Sequence, residues 1–294
     1  MVGKQERRYQ RMITVVLALI SLIMVIPLVL LVVASFTSNN EIVLHGYSFF
    51  PKELSLEAYR YIWNERAQVF HAYGITILVT AIGTTIGVMM TLLYAYVLAH
   101  EKFPGKTFLA FYLFFTMLFN GGLVPTYIMY TRYLHMKNTI PALIIPGLLM
   151  SAFNVILTRT YIQSNVPAAL SEAAKIDGAT EFQVFRKVVL PMCKPIIATV
   201  GLFAGLGYWN DWTNGLYYIT DTNKFSIQQL LNNMIKNIEF LSKNANSNIN
   251  LASVGGGIPQ ETVRMAIAIV GLLPILIVFP FVQKYFVKGI SIGA

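Results

Sequence analysis

The polar and apolar residues of this chain alternate in long blocks rather than residue by residue. A bilayer core of about 30 Å takes about 20 mostly apolar residues of helix. Six stretches reach that length, at about residues 12–34, 72–99, 107–131, 139–163, 196–220 and 263–287. Met12 to Ala34 carries no charge, and its only hydroxyls are Thr14 and Ser21. It is too long for the apolar core of a cleaved signal peptide and reads as a retained first helix, with Pro27 as a kink that a bundle tolerates. Gly121, Gly122, Pro125, Pro141 and Pro146 interrupt the third and fourth stretches. Broken helices at membrane depth need protein or a water-filled cavity over the freed backbone groups. The pattern predicts an all-α polytopic membrane protein with six transmembrane helices.

Composition narrows the picture. Of the 294 residues, 56% are hydrophobic and 12% charged, against about 45–50% and about 25% in soluble domains. That excludes a disordered chain, a nucleic-acid binder and most soluble enzymes. The net charge of +9 is unevenly distributed. With the N-terminus inside, thirteen of the 22 Lys and Arg residues fall on inner segments, among them Lys4, Arg7, Arg8, Arg11, Lys102, Lys106, Lys175, Arg186 and Lys187, against only five of the 13 acids. The positive-inside rule therefore predicts that both termini face the cytoplasm. Cys193 is the only cysteine, and His45, His71, His100 and His135 stand apart, so no metal-ligand spacing is present. The methionines read as core filling.

The outer segments at 35–71 and 221–262 are long. The second is rich in Asn and Gly, including Asn244, Asn246, Asn248, Asn250 and Gly255 to Gly257. Such composition cannot build a core of its own. It reads as a solvated loop, or as a surface that orders against an extracellular partner.

The inner loop at 167–191 is different. Pro167 suits a first helical turn, and Ala168 to Lys175 is strong helix material. Gly178 fits a C-terminal cap with positive φ. Thr180 and Gln183 have capping-box spacing, and Pro191 and Pro195 are expected to end the second helix. Leu170, Ala173 and Ala174 form a narrow stripe of mostly small residues that would let another surface approach closely. Glu172, Asp177 and Glu181 disfavour an anionic lipid surface, so a docking helix for a cytoplasmic protein fits better than one resting on headgroups.

At these residues the chain resembles a known family. Glu172-Ala173-Ala174, Asp177-Gly178-Ala179, Phe185 and Leu190-Pro191, at this spacing, look like the EAA motif of permease subunits in ATP-binding-cassette (ABC) importers. Phe119-Asn-Gly-Gly-Leu-Val-Pro-Thr-Tyr127, Tyr208-Trp-Asn-Asp-Trp212 and the tail Tyr285 to Ala294 resemble patches of the carbohydrate-uptake branch, related to the maltose permease. The resemblance implies a type I importer permease fold in a bacterial plasma membrane. It implies a non-catalytic subunit that pairs with a second permease, couples through the loop to a cytoplasmic ATPase dimer, and receives sugar from an extracellular or lipid-anchored binding protein. Glu172 would be a polar contact to the ATPase or to the neighbouring turn, Ala173 and Ala174 would set close approach, and the tail would reach the ATPase dimer interface. The chain has no Gly-x-x-x-x-Gly-Lys-Ser/Thr loop, so ATP and Mg are expected on the partner, with no cofactor here.

Polar residues within the spans are candidates for a sugar path. Tyr208, Trp209, Asn210, Asp211 and Trp212 read either as that path or as an interfacial aromatic belt. Asn120 and Asn154 read as path residues or as interhelical hydrogen-bonding groups. An ATP-independent secondary transporter or channel is the alternative. It would usually need coupling carboxylates at the midplane, and Asp211 is the only acid within a span. No nucleophile–base arrangement supports an intramembrane enzyme.

Overall fold

A computed structural model describes residues 4–100, 103–245 and 260–290. In chain order the helices are α1 (Lys4–Ser35), α2 (Asn39–His45), α3 (Glu57–Asn64), α4 (Arg66–Ala99), α5 (Lys106–Leu118), α6 (Leu123–Ile128), α7 (Pro141–Ile144), α8 (Ala152–Asn165), α9 (Ala168–Ile176) and α10 (Glu181–Val184). They continue as α11 (Leu190–Met192), α12 (Lys194–Asn210), α13 (Thr213–Tyr218), α14 (Ile227–Ala245) and α15 (Gln260–Ile290). Single π-turns follow α6, at Met129–Tyr133, and α10, at Phe185–Val189.

Among the described residues, three helices are long and apolar enough to cross a membrane, at Arg8–Ser35, Arg66–Ala99 and Gln260–Val278. Two bent pairs pass the same test: Lys106–Leu118 with Leu123–Tyr133, bent by 114°, and Glu181–Met192 with Lys194–Asn210, bent by 81°. The stretch expected as one helix at 107–131 is therefore broken. Asn120 Oδ1 accepts from the Gly122 amide at 2.8 Å, and Gly122 has φ +84°, so the side chain and the glycine turn the backbone out of the helix. The stretch at 139–163 is likewise divided into α7 and α8, with Pro146 and Gly147 (φ +73°) between them. The stretch at 196–220 stops at Asn210, where Asp211 takes an extended backbone and its carboxylate receives the amides of Thr213 and Asn214.

The chain divides into two units. One comprises residues 1–67 and 231–274. In it, α1 exposes its apolar side chains along their length, with Met24 at 69% exposure, as suits contact with lipid rather than water. The stretch after α1 is pinned by local bonds: Ser35 Oγ meets Tyr59 OH at 2.8 Å, the rings of Phe36 and Tyr59 stack at 4.8 Å, and Thr37 bridges Leu54. Tyr47 OH donates to Glu261 at 3.0 Å, and Arg264 pairs with Glu261 at 3.1 Å and Glu239 at 3.7 Å.

The expected solvated loop at 221–262 is corrected over its first half. Ile227–Ala245 is a helix whose Ile227, Leu230, Leu231, Met234 and Ile238 are buried. These residues recur at i, i+3, i+4 and i+7, a helical stripe among polar neighbours that the count of asparagines obscured. Asn246, Asn248, Asn250 and Gly255 to Gly257 lie outside the described residues, as does the end of the tail at 291–294.

The second unit, residues 68–230 and 275–294, holds a cluster of buried apolar residues. Leu92, Ala95 and Leu98 of α4 pack in one cluster with Leu113 of α5, Val155 and Ile162 of α8, Val184, Phe185, Val189 and Cys193 from the loop and its end, and Ile196 and Val200 of α12. Two glycines of α4 make close approaches possible. A Cβ on Gly83 would run into the Tyr208 ring, and one on Gly87 would lie 2.6 Å from the Leu149 carbonyl oxygen.

Candidate coupling loop and membrane cavity

Residues 167–191 fold as two helical segments joined by a tight turn. Pro167 caps α9 from just outside it rather than lying in its first turn. At the other end the Ala179 amide donates to Ala174 O at 2.9 Å and the Gly178 amide to Lys175 O at 3.0 Å. This six-to-one and five-to-two pairing closes the helix with Gly178 at φ +84°. Nothing lies within 4 Å of a Cβ placed on Gly178, so its requirement is for backbone conformation alone. Thr180 then starts α10 with both bonds of a capping box: its hydroxyl accepts from the Gln183 amide, and its own amide donates to Gln183 Oε1 at 2.9 Å.

Pro191 does not end the second helix. The π-turn at Phe185–Val189 sends the Leu190 amide to Phe185 O, and Pro191 falls in the first turn of the short α11, where its missing N–H costs nothing. The break comes at Cys193, after which Pro195 opens α12.

The two segments face different surroundings. No residue of α9 is buried; Leu170, Glu172, Ala173 and Ile176 are exposed, Ile176 at 87%. Asp177, Gly178 and Pro191 are also exposed. The expected stripe of Leu170, Ala173 and Ala174 is split, because Ala174 turns inward and packs with Ala179 and Leu190 against the core cluster. A strip of three residues spanning about 100° of helix cannot all face outward when its edge meets the protein's own core. Phe185 is buried in that cluster at 4% exposure.

Electrostatics add a feature that motif reading missed. Glu181 Oε1 accepts from Lys175 Nζ at 2.5 Å, and its Oε2 accepts from Tyr96 OH at 3.0 Å. His100 Nε2 lies 3.6 Å from Glu181 Oε2 and 3.4 Å from Lys175 Nζ. The Lys175 bond, with the Tyr96 hydroxyl behind it, holds the Glu181 carboxyl below its ordinary range. The signal available in the sequence was the opposite charge of residues 175 and 181, on either side of a turn.

The membrane candidates separate. Tyr208 is buried, and its hydroxyl donates to Ile144 O at 3.0 Å, which satisfies a carbonyl near the α7–α8 break. Asp211 caps α13 through its carboxylate. Asn210 is exposed and donates to Leu206 O, Trp209 tilts against Tyr73 at 6.3 Å, and Trp212 is 43% exposed. Asn120 is exposed at the turn before α6. Only Asn154 of the seven lines the cavity of about 360 Å³ between α4, the 147–154 segment and α12. Thr91, Ser151, Phe153 and Phe203 line it too, none of them singled out from sequence. The cavity thus combines an amide, two hydroxyls and two aromatic rings, a mixture suited to a polar ligand with apolar faces.

The sequence profile of the binding-protein-dependent transport system inner membrane components matches residues 83–292, which includes the loop and the cavity. The chain belongs to that family. It is an ABC permease, a multi-pass protein of a bacterial membrane. It is 34% identical to the polygalacturonan/rhamnogalacturonan transport system permease protein YtcP of Bacillus subtilis (strain 168) over 99% of each chain. It is 27% identical to the melibiose/raffinose/stachyose import permease protein MelC of the same organism, over 97% of this chain and 96% of that one. Among solved structures, it is similar to a chain of a bacterial ABC transporter involved in the import of the acidic polysaccharide alginate. The TM-score is 0.76 and the identity 27%, over 97% of this permease and 99% of that chain.

Proposed function

We propose that this permease forms one half of a membrane channel that imports oligosaccharides, driven by a cytoplasmic ATPase that docks on α9. The observation that carries the docking is the exposed face of α9, which presents Glu172, Ala173 and Ile176 on a helix with no buried residue. The substrate reading draws on the named relatives, whose names give polygalacturonan/rhamnogalacturonan, melibiose/raffinose/stachyose and the acidic polysaccharide alginate. In this reading the three long helices, the bent pair at 106–133, the α7–α8 stretch and α12 make six spans, with both termini in the cytoplasm and the segment from Glu181 to Met192 outside them. A second permease subunit completes the channel. A binding protein delivers sugar from outside, and ATP with Mg is bound and hydrolysed on the ATPase.

The residues divide the work. Exposed Glu172, Ala173, Asp177 and Gly178 meet the ATPase, whereas Phe185 and Leu190 hold the loop to the core. When the ATPases close on ATP, the paired α9 helices are drawn together and the bundle turns as a rigid body. In the membrane, Asn154 with Thr91 and Ser151 offers hydrogen bonds to sugar hydroxyls, and Phe153 and Phe203 meet sugar C–H faces.

The test is reconstitution of the permease with its partner permease, ATPase and binding protein in liposomes. Neutral and uronate-bearing oligosaccharides are offered with and without ATP. ATP-dependent accumulation of one class is the expected result. Accumulation that persists without the ATPase would instead establish an ATP-independent transporter.

A further inference from the structure

Glu181 ties together two elements that the motif alone does not connect. It is the first residue of α10. One of its oxygens is bonded to Lys175 in the last turn of α9, and the other to Tyr96 near the end of α4. His100, one turn beyond Tyr96, closes the group at 3.6 Å from the same carboxylate. Tyr96 is itself wedged between two rings, 4.8 Å from His100 and 5.2 Å from the buried Phe185. The α4 end of the group is therefore held by packing, while the α9 end belongs to a helix with no buried residue.

The same α4 carries Gly87 and Thr91 into the lining of the membrane cavity, Thr91 five residues before Tyr96. A helix is stiff over that length, so a displacement at Tyr96 is delivered at Thr91. We propose that Glu181 is a positioning residue: with Lys175 and Tyr96 it forms a strut that passes movement of the ATPase-facing helix to α4 and so to the cavity. This rests on the ATP-driven reading above. The apolar contacts of Ala174 and Ala179 hold the loop in place, while the strut fixes the α9 end to a particular point of α4.

The test uses the full reconstituted importer and measures sugar accumulated per ATP hydrolysed, with the amount of assembled complex measured by co-purification. In E181Q the complex assembles as in the wild type, but sugar per ATP falls by about twofold to fivefold, the upper range for loss of an exposed charge pair. Y96F, which removes only the α4 bond, moves the same ratio in the same direction. The exchanged pair K175E/E181K recovers at least half of the loss, because opposite charges again meet across the turn. Wild-type sugar per ATP in E181Q would overturn the strut. So would uptake and hydrolysis falling together in proportion to lost complex, since that marks a folding role only. If wild-type hydrolysis is not stimulated by sugar and binding protein, the ATP-driven reading fails first and the strut fails with it.

Discussion

α9 and the segment from Glu181 to Met192 are neighbours in sequence, lie in one loop and carry one motif, yet they meet their surroundings in opposite ways. The first buries no side chain and shows Leu170, Ala173 and Ile176 outward. The second sinks Val184, Phe185 and Val189 into the core shared by α4, α5, α8 and α12. The difference separates presenting from holding. In the proposed docking, α9 turns its apolar side chains to another protein, and the adjoining segment supplies the anchorage that α9 lacks. It follows that substitutions on the exposed face of α9 should change function without changing stability, and that substitutions at the buried Val184, Phe185 and Val189 should change stability first.

Breaking the holding half gives the largest effect. Phe185→Ala empties a fully packed site and should cost about 3–5 kcal/mol, read as a drop in melting temperature and in protein reaching the membrane. On the presenting half, Ala173→Trp should leave the melting temperature at the wild-type value while uptake falls at least about tenfold, the size of an interface hot spot lost. If this variant also lost stability, Ala173 would be packed within its own chain and the contrast would collapse.

Between the halves lies the turn. Gly178→Val forces a β-branched residue into positive φ and should cost about 1–2 kcal/mol of local stability, with a corresponding partial loss of uptake. Asp at that position is a milder probe, since Asp adopts this region more readily than Val and nothing crowds its Cβ. Thr180→Ala removes one capping bond and should cost about 1 kcal/mol, seen as a small shift in melting temperature with uptake largely kept. The finest effect concerns pH. Lys175 and Tyr96 depress the folded-state pKa of Glu181, so its contribution is present above the ordinary carboxyl value of 4.5 and is lost as pH falls through the lower folded value. The melting difference between wild type and E181Q should be largest near neutrality and disappear only below the depressed folded-state value of Glu181.

Much of this loop was legible beforehand because its rules are local. Gly178, Thr180 and Gln183 act within four residues of themselves, and the structure uses each as the spacing requires. The fate of Ala174 was not legible, because whether an alanine faces a partner or its own core depends on α4 and α12. The same holds in the membrane. Tyr208 and Asp211 stand out as polar groups in an apolar run, but the first serves the distant Ile144 carbonyl and the second the start of α13 just beyond it. Asn154 lines a cavity whose other walls come from residues about 50 and 60 positions away. The broken third and fourth stretches were signalled by their Gly and Pro residues, whereas the helix at Ile227–Ala245 was hidden by its asparagines, although its apolar positions keep helical spacing.

The central claim is that α9 presents its outer face to the ATPase while the rest of the loop holds it there. Ala173→Cys tests it most directly, because Cys193 is the chain's only native cysteine and is fully buried. A thiol-directed cross-linker placed at residue 173 in membranes containing the assembled importer should join the permease to the ATPase subunit, with yield changing as ATP is added. A residue 173 that reacts freely with a soluble thiol reagent in the assembled complex, and never cross-links to the ATPase while uptake proceeds normally, would contradict the account.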